Sequence, residues 1–83
     1  MKYILAIFTS RKDAMSFYQG LRSHRMTAAV VNTPQEVHAS CGISVKLDFY
    51  SLSRVKNFAF GHRSFVAFYR IEEDGIRRKA FLL

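Results

Sequence analysis

A single cysteine, Cys41, has the most distinctive chemistry in this 83-residue chain. One thiol cannot form a disulfide within the chain, so Cys41 is either a small buried side chain or a nucleophile. Gly42 follows it and leaves room for a reactant to approach the sulfur, and His38 lies three residues before it. If the intervening residues are helical, the two side chains share a face, and an imidazolium there would favour the thiolate. This spacing favours a reactive thiol, with a core cysteine as the alternative.

The segment before Cys41 contains the start and stop signals of a short helix. Thr33 is a good N-cap residue, Pro34 suits the first helical position, and Glu36 suits the third. Gly42 can adopt the left-handed conformation that ends such a helix. We therefore expect one to two helical turns here. The negative pole of that helix would oppose the effect of His38 on the thiol.

Apolar patterning predicts the elements that position this segment. Residues 2–8 form a continuous apolar run, typical of a central strand, and residues 43–49 alternate as a half-buried strand does. Apolar spacing of three and four predicts two main helices, the first capped by Ser10 with Asp13 as its capping-box partner. The full set is strands at 2–8, 26–31, 43–49 and 65–71, helices at about 10–24, 33–41 and 51–61, and a turn over 72–75. Residues 76–83 are either a further strand or a loosely ordered tail.

The order of the main elements predicts an α+β fold, a ferredoxin-like βαββαβ sandwich, in one domain over residues 1–83. Two helices would cover one face of its antiparallel sheet, and the short helix would precede the third strand. The first and fourth strands are apolar on both sides. We therefore expect the open sheet face to be hidden in a homodimer.

No apolar run approaches the length that spans a membrane. The N-terminal run ends at Arg11 and Lys12, without the cleavage site of a signal peptide. We expect a cytoplasmic protein with no membrane partner, in which Cys41 stays reduced. Cys41 and the three histidines match no zinc spacing, so we expect neither a metal nor a cofactor.

The net charge of +7 is compatible with a polyanionic partner. Residues 64–68, Ser-Phe-Val-Ala-Phe, are similar to half of the aromatic strand motif of RNA-recognition domains, in which Phe65, Phe68 or Tyr69 would stack on bases. The other half of that motif is missing, and the cations are scattered over separate segments. Nucleic-acid binding is therefore an alternative that we do not favour.

One segment carries a family resemblance. Thr-Pro-Gln-Glu at 33–36, followed by Ser-Cys-Gly at 40–42, resembles the selenium/sulfur carrier protein-like family of small bacterial domains. The resemblance covers about residues 3–75. Gln35 and His38 stand where this family usually has an arginine and a small polar residue.

The resemblance implies a carrier rather than a stand-alone enzyme, with sulfur or selenium donor and acceptor enzymes as partners. Cys41 would hold the atom as a persulfide-type adduct. The residues that would surround or shape its site are Thr33, Pro34, Glu36, His38 and Gly42. A non-catalytic dimeric interaction module, with a structural cysteine, is the further alternative.

Overall fold

The computed structural model describes the backbone of residues 1–83 and every side chain except that of Phe60. Its strands are β1 Lys2–Phe8, β2 Ala28–Asn32, β3 Ile43–Asp48, β4 Phe65–Asp74 and β5 Arg77–Leu82. Its helices are α1 Arg11–Ser23 and α2 Leu52–Phe60, the latter preceded by a single 3-10 turn, Phe49–Ser51. Of the helices described, neither has the length and apolar character needed to cross a bilayer.

The five strands form one sheet in the order β2-β3-β1-β4-β5, and all neighbouring strands are antiparallel. The prediction of an α+β fold with an antiparallel sheet and two main helices is therefore confirmed. Residues 77–82 are a fifth strand, so the sheet is wider than four strands. β4 continues three residues beyond the predicted end at residue 71, and the hairpin turns through residues 75–76. Gly75 has a φ of 61°, which glycine adopts without strain.

Both helices pack on one face of the sheet. Their apolar side chains, including Phe17, Leu21 and Val55, form one core with the alternate residues of β1 and β3. The Ser10 hydroxyl caps α1 by accepting a hydrogen bond from the Asp13 amide at 3.3 Å, as predicted.

The Asp13 carboxylate does not serve the capping box that the sequence predicted. It accepts hydrogen bonds from the Ser64 hydroxyl at 2.6 Å and the Ser64 amide at 3.2 Å, which lower the pKa of Asp13. A helix-start residue therefore fastens α1 to the turn before β4.

The second face of the sheet is not open. Residues 33–42, which we call the covering segment, leave β2, cross this face and return into β3. Val37, only 3% exposed, packs there with Leu5 and Ile71, and Ala39 lies beside them. The expectation of an exposed apolar face is wrong, because the chain covers that face itself. The argument for a homodimer through it is removed.

The short helix predicted before β3 is also wrong. The covering segment makes one turn, in which the Val37 amide donates to the Pro34 carbonyl at 3.0 Å. The Ala39 amide then donates to the Val37 carbonyl at 2.8 Å, a spacing too tight for a helix. Gly42 does not have a positive φ. Thr33 and Glu36, which were expected to begin the helix, contact other residues instead. Burial of the Val37 side chain offsets the free energy lost with the helical turn.

We expect Val37→Ala to lower the free energy of unfolding by about 1.5–3 kcal/mol, because it removes buried methyl groups and leaves a cavity over β1. Chemical denaturation measures this change. The matched control is Val66→Ala, in a strand but 54% exposed, which should change stability by less than about 0.5 kcal/mol. Equal effects of the two substitutions would contradict the covering role of Val37.

Candidate functional site

The covering segment is closed at its base by Thr33. Its amide donates to the Gly42 carbonyl at 3.0 Å, and its hydroxyl donates to the Cys41 carbonyl at 3.1 Å. The same hydroxyl oxygen lies 2.6 Å from the Ser44 hydroxyl. Since Thr33 has one hydroxyl proton and a carbonyl can only accept, Ser44 is the donor in that pair. Thr33 therefore fixes the backbone that carries Cys41.

Ser44 is fully buried, although the alternating pattern of β3 predicted an exposed position for it. The covering segment lies over its face of the sheet, and Thr33 supplies the partner that a buried hydroxyl requires. Serine can be fully buried when it is hydrogen-bonded, whereas lysine almost never is, but the alternation alone puts Ser44 and Lys46 on the same face. Its role depends on a contact between residues 11 positions apart.

Thr33→Val keeps the shape of residue 33 but leaves the Cys41 carbonyl and the Ser44 hydroxyl without this partner. We expect it to lower the free energy of unfolding by about 1–3 kcal/mol and to speed alkylation of Cys41 in the native protein. Thr33→Ser retains the hydroxyl and is the matched control. Denaturation curves and alkylation followed by intact mass test both effects. If the valine and serine variants behave alike, Thr33 does not position Cys41 through its hydroxyl.

Cys41 is 8% exposed and packs at the edge of the helix-side core. Cys41 therefore has the burial expected of the alternative, a core cysteine, because the covering segment turns it inward as the chain enters β3. Cys41 nevertheless lines a cleft of about 620 Å³ formed by the residues of the covering segment. A methyl group placed on Gly42 would meet no atom within 4 Å, so the space beside Cys41 is open.

The cleft brings together five of the six residues that the sequence predicted for the site. These are Thr33, Pro34, His38, Cys41 and Gly42. His38 is exposed, and the helical spacing expected to align it with Cys41 does not exist. The sixth residue, Glu36, lies outside the lining and points to β5, where its carboxylate is 3.6 Å from Arg78.

Arg78 joins the covering segment to the sheet. It pairs with Glu36 and, at 3.4 Å, with Glu73 of the neighbouring strand. Glu73 in turn shares a hydrogen bond with the Tyr3 hydroxyl, which lowers the pKa of Glu73. Burial and this carboxylate raise the pKa of Tyr3 to about 12. Ion pairs and hydrogen bonds thus connect Glu36, Arg78, Glu73 and Tyr3 at the edge of the second face.

The raised pKa of Tyr3 predicts a loss of stability at alkaline pH. The native phenol holds its proton up to about pH 12, whereas the unfolded phenol loses it near its ordinary value of 10.0. The native state therefore binds more protons between these values, and its stability falls as pH rises through this window. Tyrosinate absorbance is measured against pH for the wild type and for Tyr3→Phe, and the difference between the two curves is the titration of Tyr3. A difference midpoint near pH 10 would contradict the burial of the hydroxyl.

The structure also bears on two other kinds of site considered from the sequence, a nucleic-acid interface and a metal centre. Of the three rings expected to stack on bases, Phe68 is 6% exposed and packs in the helix-side core, so it offers no platform. Phe65 and Tyr69 are half-buried. His24 packs on Phe58, and His62 lies 3.7 Å from Asp13. Among the described residues, no three of the types His, Cys, Asp and Glu are grouped as metal ligands.

The fold and the site define a small α+β domain with one cysteine, which lines a cleft formed by an irregular segment between two strands. A family model described as "Putative Se/S carrier protein-like" matches residues 2–76. The chain belongs to this family. No curated protein matches the chain. No solved structure matches it either.

Proposed function

We propose that the protein carries one sulfur or selenium atom on the Cys41 sulfur, taking it from a donor enzyme and passing it to an acceptor. Membership of the Se/S carrier-like family is the observation that carries this proposal. Two features support it. Cys41 is the one cysteine of the chain, and it lines an open cleft with room for an added atom.

The transfer balances without an added oxidant. The Cys41 thiolate attacks the outer sulfur of a donor persulfide, and a new bond to that sulfur forms. The donor's own sulfur–sulfur bond breaks, and its electron pair leaves with the donor thiolate. The outer sulfur keeps its proton. A selenium atom in the outer position would follow the same path, and an acceptor thiolate would reverse it.

A lone cysteine suits a carrier because the adduct must survive between donor and acceptor. A second cysteine nearby would attack the persulfide and release the sulfur as a disulfide formed. The chain offers no such thiol. His38 lines the same cleft, and we assign to it the role of stabilising the thiolate as it reacts.

Loading requires the covering segment to move, since Cys41 is mostly buried when it is closed. Three noncovalent attachments hold the segment: the Thr33 hydrogen bonds, the Val37 side chain and the Glu36–Arg78 ion pair. The ion pair is half exposed and therefore weak. We assign Thr33, Pro34 and Glu36 to holding the segment, and Gly42 to leaving the sulfur approachable.

The test is to incubate the reduced protein with a cysteine desulfurase and free cysteine, then to read its intact mass. We expect the mass of one sulfur atom on Cys41, lost again with a thiol reductant, and no gain in Cys41→Ser. His38→Gln should load more slowly without loss of stability.

Burial of Cys41 favours a second candidate, a non-catalytic interaction module in which the cysteine is a core side chain. Alkylation separates the two. If Cys41 resists both the desulfurase and a small alkylating reagent until the protein is unfolded, the carrier proposal fails and the module stands.

A further inference from the structure

The start of β4 carries an irregularity next to the cleft of Cys41. Ile7 of β1 pairs with Ala67 and Phe8 pairs with Phe65, so Val66 lies opposite no residue of β1. Such a bulge turns a side chain out of the regular pleat. Val66 is 54% exposed as a result, although most apolar side chains of β1, β3 and β4 are buried or half-buried.

Val66 joins two concave surfaces. On one side it lines a cleft of about 300 Å³ with Ser40, which adjoins the cleft of Cys41 through the shared residues Val37, His38 and Ala39. On the other side it lines an apolar groove of about 400 Å³ with Leu52 and the stem of Lys56. Exposed Leu82 lies at the same end of the sheet, opposite Tyr69.

Exposed cations surround this apolar surface. Arg63 lies in the turn before β4, and Lys56 borders the groove. Arg11 and Lys12 lie in the first turn of α1, which Asp13 and Thr9 fasten to Ser64. The ion pairs of the described side chains involve none of these four cations. Residues 49–71 contain no Asp or Glu at all.

We propose that Val66 and Leu82, with Arg63, Lys56, Arg11 and Lys12 around them, form a docking surface for an acidic face of the enzyme that exchanges sulfur or selenium with Cys41. This inference rests on the proposed carrier function and adds the chemistry of its partner. The partner would place apolar side chains against Val66 and carboxylates against the surrounding cations. An apolar centre with a charged rim is how protein interfaces are built.

The same observations favour a protein over a nucleic acid. Affinity for a phosphate backbone grows with the number of phosphates neutralised, and this surface offers four cations for that purpose. Bases stack on exposed aromatic rings, but the exposed apolar side chains here are the aliphatic Val66 and Leu82. The rings beside them are half-buried or buried, namely Phe65, Phe68 and Tyr69. Aliphatic side chains at the centre serve a partner with apolar side chains of its own.

The test compares two sulfur donors. One is a cysteine desulfurase charged with a persulfide, and the other is inorganic polysulfide, which needs no docking. Adduct on Cys41 is followed by intact mass over time at several desulfurase concentrations. We expect Val66→Asp to slow loading from the enzyme about tenfold. Arg63→Glu should slow it about three- to tenfold, in a manner that added salt removes. Loading from polysulfide should be unchanged in both.

Arg54→Glu is the matched control for charge, since Arg54 is exposed on α2 on the side away from Lys56. Val66→Ser is a milder substitution in case the aspartate prevents folding, and thermal melts verify the fold of each variant. If both donors load Cys41 and the variants behave as wild type, the docking surface is wrong and the carrier function stands. If neither donor loads Cys41, the carrier function fails and the docking proposal with it.

The final experiment measures the binding of a labelled RNA oligonucleotide to the protein at increasing salt. Weak binding that is lost near physiological salt is the expected result. Binding that persists at that salt, and that Arg63→Glu weakens more than Val66→Asp does, would identify a nucleic acid as the partner and overturn the proposal.

Discussion

A sheet with apolar side chains on both faces must be covered twice, and this requirement governs the architecture. The helices cover one face, and the chain has only the link between β2 and β3 left for the other. That link crosses the sheet with Val37 as its buried anchor. Because an irregular segment pressed on a sheet still has to satisfy its polar groups, Thr33 and Ser44 become buried hydrogen-bonding partners. The local conformation around Cys41 follows from this coverage.

The same constraint couples the chemistry of Cys41 to the packing of the sheet. Cys41 lies where the covering segment re-enters β3, so its exposure depends on how firmly the segment is held. The buried side chain of Val37 and the Thr33–Ser44 hydrogen bond hold it more firmly than the Glu36–Arg78 pair, which is screened by solvent. In the proposed carrier, this arrangement would shield the sulfur between transfers. Exposing the sulfur would then require release of the segment and not unfolding of the helix-side core.

The elements with strong local signals could be predicted from the sequence, and the covering segment could not. The apolar run of β1 and the Ser10 cap of α1 are decided by neighbouring residues, and both are found where expected. Thr33, Pro34 and Glu36 are equally good local signals for a helix. They are overruled by partners far along the chain, since Arg78 is 42 positions from Glu36 and Tyr3 precedes the segment by 30. Local propensity amounts to about 1 kcal/mol per cap, which burial of one valine outweighs.

The net charge of +7 does not by itself indicate a binding surface, because the sequence does not show which cations are paired in the folded protein. Arg70 and Arg78 are paired with carboxylates on β4 and the covering segment, so part of the positive charge is used inside the molecule. The Asp13 carboxylate accepts a hydrogen bond from Ser64, the neighbour of Arg63. Four of the cations outside these ion pairs, Arg11, Lys12, Lys56 and Arg63, lie on the elements next to the exposed bulge, which adjoins the cleft of Cys41. Solubility alone requires charge on the surface but no particular end for it. The coincidence of free cations, an exposed valine and the one thiol favours a shared function for that end of the molecule.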